Sequence, residues 1–368
     1  MIQEPSQSKI RQCEIKKNIN VIRVKNVFKG MKYKNINHED CSLITKKDLL
    51  IYHAISSGKS LTYLYKIFDK VRVDQLISYR SKLHELKKLP LIRQRTIEWL
   101  EARKTRLTAS DLEDAIKSNN TKLAKKKAGI TPDTTNYTTI APLKWGTMFE
   151  DMAMRCYSQD RKDIPIYEFG LIIDKSQDHF GASPDGINDL GVMIEIKCPF
   201  SRVIMDGKIP SKYYMQIQGQ LATCCLEECD YIECDFITYD SVYKYIDDIE
   251  NNYENAKINH GIIAEYKDTY SGEYFYIYSR PYLIASHALY DIEKQVHQNK
   301  KENLEYLKLT PWRLQKMNVQ KVYFDEELWI ETVPKINNFW EKVEYCKTLP
   351  KEEPKIKQKI VFIDDEDD

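Results

Sequence analysis

Gly181-Ala-Ser-Pro-Asp185-Gly-Ile-Asn-Asp-Leu-Gly-Val-Met-Ile-Glu195-Ile-Lys197 reads as a turn that carries an aspartate, a second turn, and then a strand. Val192, Ile194 and Ile196 alternate with Met193, Glu195 and Lys197, so a period of two sends Glu195 and Lys197 to one face and the isoleucines to the other. If residues 186–191 form a hairpin-like loop, Asp185 returns its carboxylate to the same strand end. Two carboxylates and one ammonium then share a small volume. Carboxylates held together repel unless a cation neutralises them, and hard oxygen ligands select magnesium or manganese. The expected occupant is a divalent metal ion.

The rest of the composition sets limits. With 368 residues the chain can bury a large core, and ordinary domain sizes predict a main domain with additions at its ends. Fifty-six Lys plus Arg against 55 Asp plus Glu leave a net charge of +1, so a nucleic-acid surface must come from local charge rather than overall excess. The chain contains no run of eighteen apolar residues and its first residues form no apolar signal core, which predicts neither a membrane partner nor secretion. Nine scattered cysteines in a chain of this size read as reduced core thiols, placing the protein inside a cell, in cytoplasm or nucleus.

Taken outward from the signature, the chain divides into four parts. Residues 1–90 form a basic arm, rich in lysine and arginine over 1–36, and then three short helices between Asp40 and Leu89 broken at Ser57-Gly58. Residues 91–240 form the central unit. Within it a helix spans Arg95–Arg106, a second begins near Thr108 or Ser110 with one of them as N-cap, and Lys122–Lys127 is a lysine-rich patch before the loop 131–139. Leu143–Ser158 reads as an amphipathic helix with Met148, Met152 and Cys156 along one side and Glu150 in its middle. Ile164–Asp174 reads as one strand, Pro210 opens a helix on which Gln216 and Gln220 share a face, and Tyr231–Thr238 is another strand. Residues 241–350 read as an α+β extension packing on the core, with a β pair at 262–278, a long helix over Tyr282–Leu307, and a last helix around Trp329–Val343. Residues 351–368 form a charged, disordered tail ending in Asp-Asp-Glu-Asp-Asp.

Pro184-Asp185 followed by Glu195-Ile196-Lys197 resembles the PD-(D/E)XK nuclease signature, and its surroundings narrow the likeness to the lambda exonuclease and YqaJ-type viral recombinase family. Trp99-Leu-Glu-Ala-Arg103, Leu107-Thr-Ala-Ser110, Trp145-Gly-Thr-Met-Phe-Glu150, Ser183-Pro-Asp-Gly186, Glu195-Ile-Lys-Cys-Pro199 and Tyr214-Met-Gln-Ile-Gln218 stand in that family's order. The resemblance covers about residues 93–240. It implies an α/β fold, a restriction-endonuclease-like core whose mixed central sheet is flanked by helices.

It also implies chemistry. Asp185, Glu195 and Glu150, with the backbone carbonyl of Ile196, would hold one or two Mg2+ ions, with Mn2+ as substitute, and Lys197 would act on the attacking water. Gln216 or Gln218 would lie beside that centre, and Arg103, Ser110 and Ser183 would bind a terminal 5′ phosphate. The implied activity is 5′-to-3′ exonuclease digestion of one strand of double-stranded DNA from its ends, in recombination, repair or viral genome processing. Implied partners are duplex ends, a single-strand annealing protein and two further copies in a trimeric ring, with a host cell as the setting of a viral enzyme. The same centre would serve an endonuclease or an RNA-degrading enzyme. A non-catalytic DNA-binding scaffold on a decayed fold is the other alternative, against which stands the presence of every acidic and basic position.

Overall fold

The computed structural model describes residues 46–131, 140–161, 164–252, 259–280, 284–299 and 302–352. The basic arm, most of the loop 131–139 and the acidic tail lie outside the described residues. Three helices come first, as their apolar spacing predicts: α1 (Lys46–Ser56), α2 (Leu61–Ile67) and α3 (Lys70–Leu86). Gly58, at φ 73°, ends the first, and side chains start the next two: Ser60 accepts from the Tyr63 N–H and Asp69 from that of Arg72. Their inner faces, including Ile51, Leu64, Val73 and Leu76, pack on Ile164, Leu190 and Val192, the residues leading into the signature strand. Gly191 permits that approach, since a β-carbon there would stand 2.4 Å from the Tyr79 carbonyl oxygen.

A connected set of small elements follows. Helix α4 (Ile97–Lys104) leads through strand β1 (Leu107–Thr108) and a 3-10 turn (Ala109–Asp111) to α5 (Leu112–Ile116), α6 (Thr121–Lys127) and the long α7 (Ala141–Asp160). Neither Thr108 nor Ser110 forms the expected side-chain N-cap. Thr108 precedes the 3-10 turn without a capping bond, and the Ser110 hydroxyl is engaged with Arg103 and Thr108 instead.

The single strand expected over 164–174 is two strands in two sheets. Strand β2 (Ile166–Tyr167) pairs with β5 (Gly186–Asn188), whereas β3 (Ile172–Ile173) pairs with β4 (Phe180–Ala182). Gly170 lies between them. A β-carbon there would fall 1.5 Å from the Ile92 carbonyl oxygen, which accepts the Leu171 N–H at 3.0 Å, so the chain is drawn off its first sheet by a crossing segment that alternation alone does not reveal.

The signature strand β6 (Met193–Lys197) precedes α8 (Ser211–Cys224), β7 (Glu228–Thr238), α9 (Val242–Asn251), β8 (His260–Asp268), β9 (Tyr274–Tyr278), α10 (Ala285–Gln298), β10 (Leu304–Tyr323) and α11 (Glu326–Lys347). The main sheet has seven strands in the order β2-β5-β6-β7-β10-β8-β9, and β1-β4-β3 form a second. Only β6 and β7 run parallel within the large sheet, the other neighbours being antiparallel. This is the mixed α/β architecture that the signature implies, with α7 packed on one part of the sheet through Phe149, whose ring stacks on Phe236 at 4.5 Å and meets Trp312 edge-on at 6.3 Å. Burying each of these aromatic side chains contributes about 2–3 kcal/mol.

The expected long helix at 282–307 is shorter, ending at Gln298, and Leu304 already belongs to a twenty-residue strand. Leu304 to Arg313 pair with β8, and Trp312 to Tyr323 pair with β7. Pro311 and the lysines at 308, 316 and 321 weigh against a central strand on local grounds. Pairing on both sides overrides that preference. Residues from beyond 240 therefore supply three of the seven strands of the sheet that contains β6.

Candidate active site

Strand β6 is held by β5 on one side, where Gly186 faces Ile194 and Ile187 faces Met193, and by β7 on the other, where Glu195 faces Tyr231. The β5–β6 hairpin brings Asp185 back as the turn chemistry predicts, and the Ile196 N–H donates to Asp185 Oδ2 at 2.7 Å. Ile194 and Ile196 point into the core beside Phe149 and Ile232, which leaves Glu195 and Lys197 on the opposite face. Glu195 is fully buried, and the Lys197 ammonium contacts its Oε1.

Helix α8 closes over this pair. Gln216 Nε2 donates to Glu195 Oε1 at 2.6 Å, and Gln220 Nε2 donates to Oε2 at 2.7 Å. Gln218 points elsewhere: its Nε2 donates to the Tyr323 carbonyl at 3.0 Å and its Oε1 accepts the Asp325 N–H at 2.8 Å, fixing α8 to the junction of β10 and α11. The difference follows from helical geometry, because residues four apart share a face and a residue midway between them does not. Gln220 was visible in the sequence only as the partner of Gln216 at that spacing.

Charge accumulates here in a telling direction. Burial, then Glu195 and Glu150, hold the Asp185 carboxyl well above the usual carboxylate range, against the opposing pull of Lys197 and the Ile196 N–H. Burial likewise raises Glu150, with Arg95 as its main opposing neighbour. For Lys197 burial works against the charge, but Glu195 and Asp185 outweigh it and raise the ammonium further. Two raised carboxyls beside the buried Glu195 make a donor set suited to a hard divalent cation. As they stand, however, each is turned to a protein donor: Glu195 to Lys197 and two glutamines, Asp185 to the Ile196 N–H, and Glu150 to Arg95, whose Nη2 is 2.9 Å from Oε2. Among the described residues no three Asp, Glu, His or Cys side chains are arranged to ligate one ion together.

The second constellation predicted from the sequence lies nearby. Arg103 Nη2 donates to Ser110 Oγ at 3.1 Å, and its guanidinium stacks on Trp99, 4.2 Å from the ring centroid. Trp99 Nε1 in turn donates to Ser183 Oγ at 3.0 Å, so Arg103, Ser110 and Ser183 are joined through one indole ring. Burial lowers the Arg103 pKa, with Asp111 opposing. Lys127 closes the lysine-rich patch 122–127, within which spacing alone does not set it apart. Its ammonium is tucked in, 2.9 Å from Asp111 Oδ2 and 3.2 Å from the Arg103 carbonyl, a difference that only packing makes between neighbouring lysines. Arg95, expected to open the helix to Arg106, lies instead in the turn before α4, which begins at Ile97, and it carried no functional signal in the sequence.

The described cysteines are unpaired, and Cys156, Cys224, Cys229, Cys234 and Cys346 are buried, in keeping with core thiols. No described helix is long and apolar enough to cross a membrane.

The chain is 25% identical over 375 residues to an uncharacterized protein of Acanthamoeba polyphaga mimivirus, a match covering 88% of this chain and 66% of that relative. Among solved structures it is similar to an alkaline exonuclease from Laribacter hongkongensis (20% identity, TM-score 0.42), covering 68% of this chain and 93% of that one. A complex of the same enzyme with dAMP gives 22% identity, a TM-score of 0.41 and the same coverage. A phage related exonuclease from Haemophilus somnus gives 10% identity and a TM-score of 0.34, covering 65% and 94%. The model of the YqaJ-like viral recombinase domain matches residues 98–227, the span that holds Arg103, Ser110, Glu150, Asp185, Glu195, Lys197 and the α8 glutamines at 216, 218 and 220.

Proposed function

We propose that the protein is a divalent-metal-dependent exonuclease that digests one strand of double-stranded DNA from 5′ ends, serving recombination or viral genome processing. The observation that carries this reading is the meeting of Asp185, Glu195 and Lys197 at one strand end, with the Asp185 carboxyl raised by burial and then by its acidic neighbours. Asp185, Glu195 and the Ile196 carbonyl would hold Mg2+ or Mn2+, with Glu150 acting through water, and the chemistry supplied there is Lewis acidity toward the phosphate and a lowered pKa for a bound water.

The chain's own residues account for the rest. Gln216 and Gln220 fix both oxygens of Glu195, so its carboxylate would face the ion in one orientation. Lys197, anchored on Glu195 and still 22% exposed, orients the attacking water and offsets the negative charge that develops on the phosphoryl oxygens. Arg103, oriented by Trp99 and Ser110, receives the terminal 5′ phosphate, for which a planar guanidinium is suited.

One linear duplex, labelled at either end and carrying or lacking a 5′ phosphate, tests polarity, substrate and hook together. Mononucleotide release from the 5′-phosphorylated strand in Mg2+ is expected, with none from Asp185→Ala. Arg103→Ala should lower kcat/KM on phosphorylated ends about tenfold or more and leave unphosphorylated ends nearly unaffected. Closed circles cut as fast as linear ends would overturn the exonuclease reading.

A further inference from the structure

Arg95 stands just ahead of the family span, 98–227, and the signature gives it no task. Its φ is 64°, and among the described residues only one other non-glycine residue, Cys225 at φ 53°, adopts the left-handed conformation. Cys225 has a structural reason for it, ending α8 with its N–H returned to the Ala222 carbonyl at 3.1 Å. Arg95 ends no helix. A glycine, which has no β-carbon, would suit such a turn better than an arginine.

What the turn achieves is placement. Gln94 Nε2 donates to the carbonyls of Phe169 and Pro184 at 2.9 and 3.0 Å, tying the turn to the residue before Asp185, and Thr96 Oγ1 closes it on the Arg93 carbonyl at 2.8 Å. Arg95 is thereby delivered to a cleft that it lines together with Glu150 and Asp185. Its guanidinium takes Glu150, while Lys197 is committed to Glu195. These two cations face three carboxylates that would otherwise repel one another. They differ in freedom: the Arg95 side chain is 51% exposed and Glu150 32%, against 22% and 0% for Lys197 and Glu195. A guanidinium keeps its proton at any working pH, so it can leave Glu150 only by being displaced. An ion pair this exposed is weak enough for that.

We propose that Arg95 is a built-in counter-ion of the carboxylate cleft, a positioning residue that holds Glu150 until a divalent cation displaces it. The inference rests on reading the cleft as a metal centre, and it adds that the protein's apparent affinity for the ion is set partly by competition with its own arginine.

Calorimetric titration of the full chain with Mn2+ in the absence of DNA tests it without reference to turnover. Arg95→Gln should bind Mn2+ about two- to fivefold more tightly than the natural chain. Arg95→Lys, which keeps the charge, should stay near the natural affinity. Arg95→Gly, which removes the cation and also suits the left-handed turn, should match Arg95→Gln, separating lost competition from a disturbed fold. Unchanged or weaker Mn2+ binding in both neutral variants, with binding still abolished in Asp185→Ala, overturns the role of Arg95 and leaves the metal centre standing. Equal binding by the natural chain and Asp185→Ala overturns the metal-centre reading, and the counter-ion falls with it.

Discussion

Asp185, Glu195 and Glu150 meet Lys197 and Arg95 in the cleft at the end of β6, while Asp48, Glu228 and Asp230 meet Arg72 and Lys321 where α1 and α3 join β7 and β10. Both clusters set three carboxylates against two cations, yet they are electrostatic opposites. In the second, Arg72 Nε is 2.9 Å from Asp48, its other nitrogens grip Glu228, and Lys321 stands 2.6 Å from Asp230 and 3.4 Å from Glu228. Burial alone would raise Glu228, but Arg72 and Lys321 outweigh it and hold its carboxyl below the usual range. In the cleft the balance tips the other way, and Asp185 is held above that range. The same residue types thus make a structural lock where the cations reach every acid, and leave a carboxyl raised where they do not.

Substitutions in each cluster would break or sharpen that contrast. Asp185→Asn should lower nuclease turnover about a hundredfold or more while leaving the thermal midpoint level or higher, because it removes one of three repelling acids. A clear drop in midpoint would make the cleft a lock as well. Glu228→Gln should do the reverse, destabilising the fold by about 3 kcal/mol in urea titration with turnover retained below the unfolding range, since Arg72 and Lys321 lose a buried partner. Retained stability there would remove the contrast from the other side.

The pH dependence of these two variants follows from the opposite signs. Glu228 stabilises the fold above the ordinary glutamate pKa of about 4.3, and that contribution is lost as pH falls through its depressed native value. The deficit of Glu228→Gln should therefore shrink in acid. Asp185, raised in the native state, costs stability while it is charged, and the cost disappears as pH falls through its raised value, so the advantage of Asp185→Asn should also vanish in acid. Stability curves against pH for the three proteins check both signs.

The smallest effects separate the glutamines of α8. Gln220→Ala, which frees one oxygen of Glu195, should slow turnover about tenfold with little change in stability. Gln218→Ala should instead cost about 1 kcal/mol in stability and leave turnover in place, since its bonds go to Tyr323 and Asp325. An equal effect of both on turnover would mean that the helix acts as a unit.

Alternation around Glu195, the turn at Pro184-Asp185 and the helical spacing of Gln216 and Gln220 were legible in the sequence because each is a local consequence of backbone geometry. The three helices over 46–86 and the β8–β9 pair were legible for the same reason. Gly170 was not, since its role depends on Ile92, seventy-eight positions earlier by number, passing against it. Nor was β10, whose proline and lysines oppose a central strand until β7 and β8 pair with it on either side.

By itself the sequence determined which side chains share the strand end, because a period of two and a tight turn act over a few residues. Only the tertiary structure decided which charges reach them. Arg95 meets Glu150 fifty-five positions away, Lys127 rather than its neighbours meets Asp111, and Lys321 rather than Lys316 enters the buried cluster. Electrostatic pairing falls off with distance in space and not along the chain, so it becomes readable only once the fold has brought its partners together.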